Sequence, residues 1–333
     1  MILLWGIPGD TPLARVRKLL SAQHPQVIFF DQQAILSTAI DLTVGGHVEG
    51  VLRLAGGEVA LEQIRSVYVR PYDIRRVPAV ARAGPGSPEL AHAELVESAM
   101  ATWTELTDAF VVNRLSAMCS NGSKPYQSEL IHAAGFDVPD TLLTTDPAAA
   151  DAFWRRHGSV IYKSISGIRS IVSRLGPDDR ARLDDVMTCP TQFQEYIQGT
   201  DVRVHVVGDS VFGCEVKSSA DDYRYAARQV ALEPSLRAYD VPVELAEACR
   251  RLAADLGLPV AGIDLRRTAD GRWYCFEVNP SPAFTFYEDA TGHGIARAVT
   301  ELLISGRPGR SWELRRSSSS SAASPVQNPD AVE

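Results

Sequence analysis

Short apolar runs, broken by glycine and proline, open the chain and predict strands alternating with helices. ILLWGI at 2–7 reads as a strand and PGDTP as a turn; LARVRKLL then reads as a helix with Thr11 as N-cap and Pro12 as first helical residue. VIFF at 27–30 predicts another strand, and DLTV, HVEGVLRL and EVAL follow with diglycines where tight reversals belong. SVYVRP at 66–71 is a strand ending on Arg70, and a helical pattern runs from about Pro88 to Ala109.

Farther along, the spacing predicts a helix closed by Gly135, a short strand after Pro139, and a helix capped by Asp146 with Pro147 in its first turn. VIYKSI at 160–165 and SRL at 173–175 read as strands, and QFQEYIQGTDVRVHVVGDSVFGCEVKS as two strands joined across Gly208 and Asp209. Leu245, Cys249, Leu252 and Leu256 recur at helical spacing before Gly257, so they form one stripe of a helix. GIDLRRTADGRWYCFEVNPSP reads as a hairpin turning at Asp270 and Gly271, and a last helix is expected near 292–304.

The expected fold class is therefore α/β (α+β). An N-terminal α/β unit spans 1–112, a central lobe 113–192 and a C-terminal lobe 193–306; the Ser-rich stretch 307–333 has almost nothing to bury and is expected to be a disordered tail.

Composition narrows the class. A chain of 333 residues, 45% hydrophobic and 22% charged, is an ordinary globular mixture with room for more than one core. A formal charge of -8 argues against a protein whose main task is neutralising nucleic-acid phosphates. The five cysteines are widely spaced and include no CxxC pair, so reduced structural thiols are expected. No stretch reaches the roughly 20 apolar residues of a spanning helix, and the N-terminus lacks a basic leader. The cytoplasm is the expected location, with no membrane partner.

The chemistry resides in an ordered set of residues: Lys124 on a loop, Lys163 on a strand, the run Gln194, Glu195, Tyr196 and Ile197, then Asp201, and finally Asp264, Glu277 and Asn279 on paired strands. Activating a carboxylate with ATP needs cations on the phosphates, acceptors for magnesium, and an apolar slot with a hydrogen-bonding edge for adenine. The set contains all three. Glu277 and Asn279, two apart on a strand, share a face that Asp264 on the neighbouring arm can meet, an oxygen-only pocket suited to Mg²⁺. Taken singly, each has a plainer reading: a snorkelling lysine, or an exposed pleat face with an Asn turn before Pro280.

As a whole the set resembles the RimK-like branch of the ATP-grasp superfamily. More narrowly, the stretches TELTDAFVVNRLSAMCSNGSKPYQSELIHAAGFDVPDTLLTTDP, CEVKSSADDYRYA, GLPVAGIDLRRTADGRWYCFEVNPSPAFTFYEDATGHGIARAVTELL and VYVRPYD resemble the ATP-grasp peptide maturases that make graspetides, the microviridin-like ribosomal peptides (RiPPs). The resemblance covers most of residues 65–305.

It implies an ATP-grasp fold whose two lobes clamp ATP behind an N-terminal pre-ATP-grasp domain. It implies Lys124 and Lys163 on the phosphates, Gln194 to Ile197 along adenine with Glu195 near its exocyclic amine, Asp201 on the ribose, and Asp264, Glu277 and Asn279 on Mg²⁺. It also implies that the inward cations Arg203, Lys217 and Arg224 stabilise an acyl phosphate and bind the substrate carboxylate. SISGIRS departs from the longer glycine-rich loop of other members, and NPSPAF from their usual NP motif. The expected partner is a precursor peptide, with a homodimer left open. A small-molecule amino-acid ligase and a non-catalytic ATP-binding module are the competing expectations.

Overall fold

All five residues of the ILLWG run are buried and form β1 (Ile2–Gly6), because parallel neighbours on both sides leave it no solvent edge. The computed structural model describes residues 1–24, 26–164, 172–189, 191–218 and 235–309. After β1 come α1 (Thr11–Gln23), β2 (Val27–Asp31), β3 (Ala39–Val44), β4 (Val48–Leu54), β5 (Gly57–Ala60), β6 (Ser66–Val69), α2 (Pro78–Ala83), α3 (Pro88–Leu106) and β7 (Phe110–Val112). Strands β2, β1, β6 and β7 make a parallel sheet in that order, and β3 to β5 a separate antiparallel one turning at the two diglycines.

The start of α1 differs from expectation. Asp10, not Thr11, is the N-cap, its carboxylate accepting the Leu13 N–H at 2.8 Å. A carboxylate at this position also complements the helix dipole, and the Thr11 hydroxyl bonds instead to that of Thr285 at 2.9 Å.

The next elements are α4 (Leu115–Met118), α5 (Lys124–Ala133), β8 (Thr141–Thr144), α6 (Pro147–His157), β9 (Val160–Ser164), β10 (Ser173–Arg174) and β11 (Thr191–Glu195). Strands β10, β9, β11 and β8 form an antiparallel sheet, so β11 runs across the expected boundary at 192. Then follow β12 (Thr200–Val207), β13 (Ser210–Lys217), β14 (Ser235–Tyr239), α7 (Val243–Asp255), β15 (Val260–Arg267), β16 (Trp273–Asn279), α8 (Thr285–Thr291) and α9 (Ile295–Ser305). Strands β14, β13, β12, β15 and β16 build a five-stranded antiparallel sheet, with the expected turns at Gly208 and Gly271 both at positive φ. No helix among the described residues is long and apolar enough to cross a membrane.

One face of the five-stranded sheet is apolar. Val202, Val204 and Val206 of β12 with Ile263 and Leu265 of β15 pack on Leu245, Cys249 and Leu252 of α7, the predicted stripe. The N-terminal unit is not separate: Leu4, Leu13, Val16 and Leu20 share a core with Val299, Leu302 and Leu303 of α9 and with Val260. The cysteines are free, and burial pushes the Cys249 thiol up to about 12, as expected of a structural thiol.

Gln127 of helix α5 supplies the backbone pairing at the edge of β16. The buried Gln127 amide donates to the Val278 carbonyl at 2.8 Å and accepts the Val278 N–H at 2.9 Å, taking the place of a neighbouring strand. Replacing it by Met keeps the length but leaves two buried backbone groups unpaired, at about 1–3 kcal/mol each. Gln127→Met is expected to lower the urea midpoint of the intact chain accordingly. An unchanged midpoint would show that α5 is held some other way.

Candidate active site

Strand period and register decide which side chains meet. Asp201, Arg203 and His205 alternate along β12 with the buried valines, so all three project from the face opposite the apolar core. On β15 their partners are Arg266, Asp264 and Gly262, and on β16 Asp264 and Gly262 face Glu277 and Asn279. The expected grouping of Asp264, Glu277 and Asn279 is thus present on one face.

Each acid has a cation. Arg203, only 5% exposed, donates from Nη1 to Asp264 Oδ1 at 2.7 Å, and Lys124 Nζ donates to Glu277 Oε2 at 2.9 Å. Lys124 reaches its partner because Gln127, one helical turn later, fixes α5 to the same strand. Gly262 makes room for the arginine: a Cβ there would strike the Arg203 guanidinium and crowd Pro282. The side-chain amide oxygen of Asn279 accepts the Ser281 N–H at 2.9 Å, the Asn turn of the plainer reading, and keeps a second lone pair. The oxygen-only set fits a hard divalent cation, with carboxylates from two strands and an amide oxygen beside them.

The run from Gln194 to Ile197 covers the last two residues of β11 and the two that follow it. Gln194 is buried and bonds to the Thr141 hydroxyl at 3.0 Å. Glu195 pairs its N–H with the Asp140 carbonyl at 2.9 Å, and its carboxylate comes within 4.8 Å of ligand atoms on Asp140 and His157. The Tyr196 ring lies under Arg174, 3.7 Å from the guanidinium carbon to the centroid. Ile197 is 5% exposed, and its carbonyl accepts from Arg266 at 2.8 Å. Asp201 is held at both oxygens by Arg266, at 2.7 and 2.9 Å.

The remaining expected residues lie elsewhere. Lys163 is half-buried on β9 opposite Gln192, in the central sheet. Lys217 belongs by register to the other face from Arg203, is 62% exposed, and has Nζ 3.9 Å from Glu215. Arg224 and most of the SISGIRS run lie outside the described residues. His205 is fully buried against Tyr287, and burial, with Arg203 beside it, pushes its pKa well below the usual histidine range. It is a neutral structural group.

Arg70, singled out in the sequence without partners, grips Asp10 at 2.8 and 3.0 Å and donates to the Pro282 carbonyl at 3.2 Å, tying the first sheet to the loop after Asn279. Two other residues were missed from sequence. Asn113 donates to the carbonyls of Val260 at 2.7 Å and Pro280 at 2.6 Å, pinning the same loop. Phe276 is the extra residue of a bulge: Asp264 faces Glu277, but Leu265 faces Cys275. The bulge brings Phe276 onto the site face, 5.1 Å from the Arg266 guanidinium. Its trace in the sequence is the broken alternation at Cys275, Phe276 and Glu277, where two apolar residues run together.

Comparison with known proteins identifies the family and the fold. The model of the RimK-like ATP-grasp domain matches residues 123–303, more than half of the chain. A probable α-L-glutamate ligase of Serratia proteamaculans is 29% identical over 223 residues, 62% of this chain and 71% of that protein. The ATP-grasp ligase PsnB, solved with a phosphomimetic variant of a minimal precursor, Mg and ADP, has a TM-score of 0.72 at 27% identity over 92% of this chain and 98% of its own. A Chryseobacterium gregarium RiPP-associated ATP-grasp ligase in complex with ADP and a leader and core peptide has a TM-score of 0.75 over 92% of this chain and 97% of its own. At 22% identity, that last likeness is one of fold alone. From the matched domain, with its paired acids and cations on one sheet face, it follows that the chain belongs to the RimK-like family of ATP-grasp ligases.

Proposed function

We propose that the protein is an ADP-forming carboxylate–amine or carboxylate–alcohol ligase that cross-links Asp or Glu side chains of a ribosomal precursor peptide to its Ser, Thr or Lys side chains. The observation that carries the ligase reading is the double pairing on one sheet face, Arg203 with Asp264 and Lys124 with Glu277. These pairs keep two carboxylates and two cations side by side where magnesium triphosphate can exchange partners with them, the phosphates taking the cations and the magnesium the carboxylates.

In this reading Asp264, Glu277 and Asn279 would hold Mg²⁺, and a divalent cation there would supply charge screening for phosphoryl transfer. Lys124 and Lys163 bind phosphate oxygens, and Gln194 to Ile197 line adenine. The substrate carboxylate attacks the γ-phosphate in line, giving an acyl phosphate and ADP; a hydroxyl or amine then opens the acyl phosphate and releases phosphate. Arg203 faces the acyl phosphate. Arg224 is assigned to the substrate carboxylate, and Lys217, on the opposite face from Arg203, is not.

The peptide substrate is supported by the likeness to PsnB, which was solved with a minimal precursor, over 92% of this chain. The likeness to the glutamate ligase favours the second reading, a small-molecule amino-acid ligase. Mass spectrometry of candidate precursors incubated with enzyme, ATP and Mg²⁺ separates the two. Loss of one water per linkage is expected, and unmodified precursors alongside ATP-dependent ligation of free amino acids would overturn the peptide reading.

Glu277→Gln keeps the side-chain shape but removes a metal-type charge, and is expected to abolish magnesium-dependent ADP release; an unchanged rate would rule out the metal assignment. Gly262→Ala should displace the flexible end of Arg203 without opening the core. At least about a tenfold loss of ADP release is expected, together with a fall in Tm, because the buried arginine is driven off Asp264 and Pro282 is crowded. Full activity would mean that the arginine's position is unimportant.

A further inference from the structure

We infer that Arg266, which neither phosphate nor metal binding requires, is the positioning residue for the nucleoside end of the site, because it holds the Ile197 carbonyl and both oxygens of Asp201 at once. The inference deepens the ATP-binding reading above and rests on it.

Three donors of one guanidinium are placed: Nε and Nη2 on the two Asp201 oxygens at 2.7 and 2.9 Å, and Nη1 on the Ile197 carbonyl at 2.8 Å. A planar fork can do this, whereas a lysine is a point donor. The pair is mostly buried, with side-chain exposures of 13% for Arg266 and 19% for Asp201. Surface pairs such as Arg75 with Glu94, at 73% and 42%, are screened by water and hold little in place.

The location gives the contact its meaning. Strand β11 ends at Glu195 and β12 begins at Thr200, so residues 196–199 are the connection between the central and five-stranded sheets. Arg266 holds the middle of that connection to β15, two residues from Asp264. Its guanidinium carbon also lies 5.7 Å from the Tyr196 ring centroid and 5.1 Å from that of Phe276, the residue the bulge delivers. Two aromatic rings, a fixed backbone carbonyl and an oriented carboxylate are the parts a purine nucleoside needs.

A strut that merely joins the sheets would make the same contacts, so the test separates the two ends of the nucleotide. Isothermal titration of the full chain with MgADP and, separately, with magnesium tripolyphosphate compares wild type with Arg266→Ala and Arg266→Lys, each checked by thermal melt. Loss of the fork is expected to raise the MgADP Kd at least about tenfold while tripolyphosphate stays within about twofold. The lysine variant, which folds with the charge retained, is expected to show the same selective loss. In a double mutant with Asp201→Asn, the effects should be far from additive, because both act through one contact. Equal weakening toward both ligands, or none toward MgADP, overturns the assignment. Wild-type protein that does not bind MgADP overturns the ATP reading itself, and the inference with it.

Discussion

Asp264 and Glu277 stand opposite each other on adjacent strands, and like charges at that spacing repel unless positive charge is built in beside them. Arg203 and Lys124 provide it, and much of the surrounding architecture serves to deliver those two cations. Gly262 stays without a side chain so that the guanidinium can lie across it. Gln127 locks α5 to the strand that carries Glu277. With one partner gone from such a buried pair, the stranded charge would cost about 3–5 kcal/mol, far more than a surface ion pair contributes.

The same constraint explains why the N-terminal unit is fused to the C-terminal lobe instead of hanging from a linker. The loop after Asn279 must be stiff if the metal-type oxygens are to keep their aim. It is held from outside its own sheet: Arg70 and Asn113 reach the carbonyls of Pro282 and Pro280. Those two anchors stay in place because α9 is buried in a core with α1 and β1. The first sheet thus acts as a foundation for the site, although the candidate site residues all lie beyond it.

Much of this could be read from local patterns. Periodicity located β12, β15, β16 and the α7 stripe, and Glu277 and Asn279 share a face because a strand repeats every two residues. What stayed hidden depends on long-range partners. Nothing near Arg266 in sequence reveals that Asp201, 65 positions earlier, will meet it. Lys217 looked inward by its neighbours, but strand register sends it to the opposite face from Arg203. The Thr11 cap failed for a related reason: Asp10 is fixed by Arg70, 60 positions later, and is already in place to accept the Leu13 N–H.

The docking of α5 also divides the two lysines between bodies. Through Gln127, Lys124 travels with the sheet of Glu277, while Lys163 sits on β9 in the other sheet, across the short connection 196–199. Any ligand engaging both lysines would therefore span two sheets, and its affinity would depend on how those sheets are held relative to each other as much as on either lysine alone.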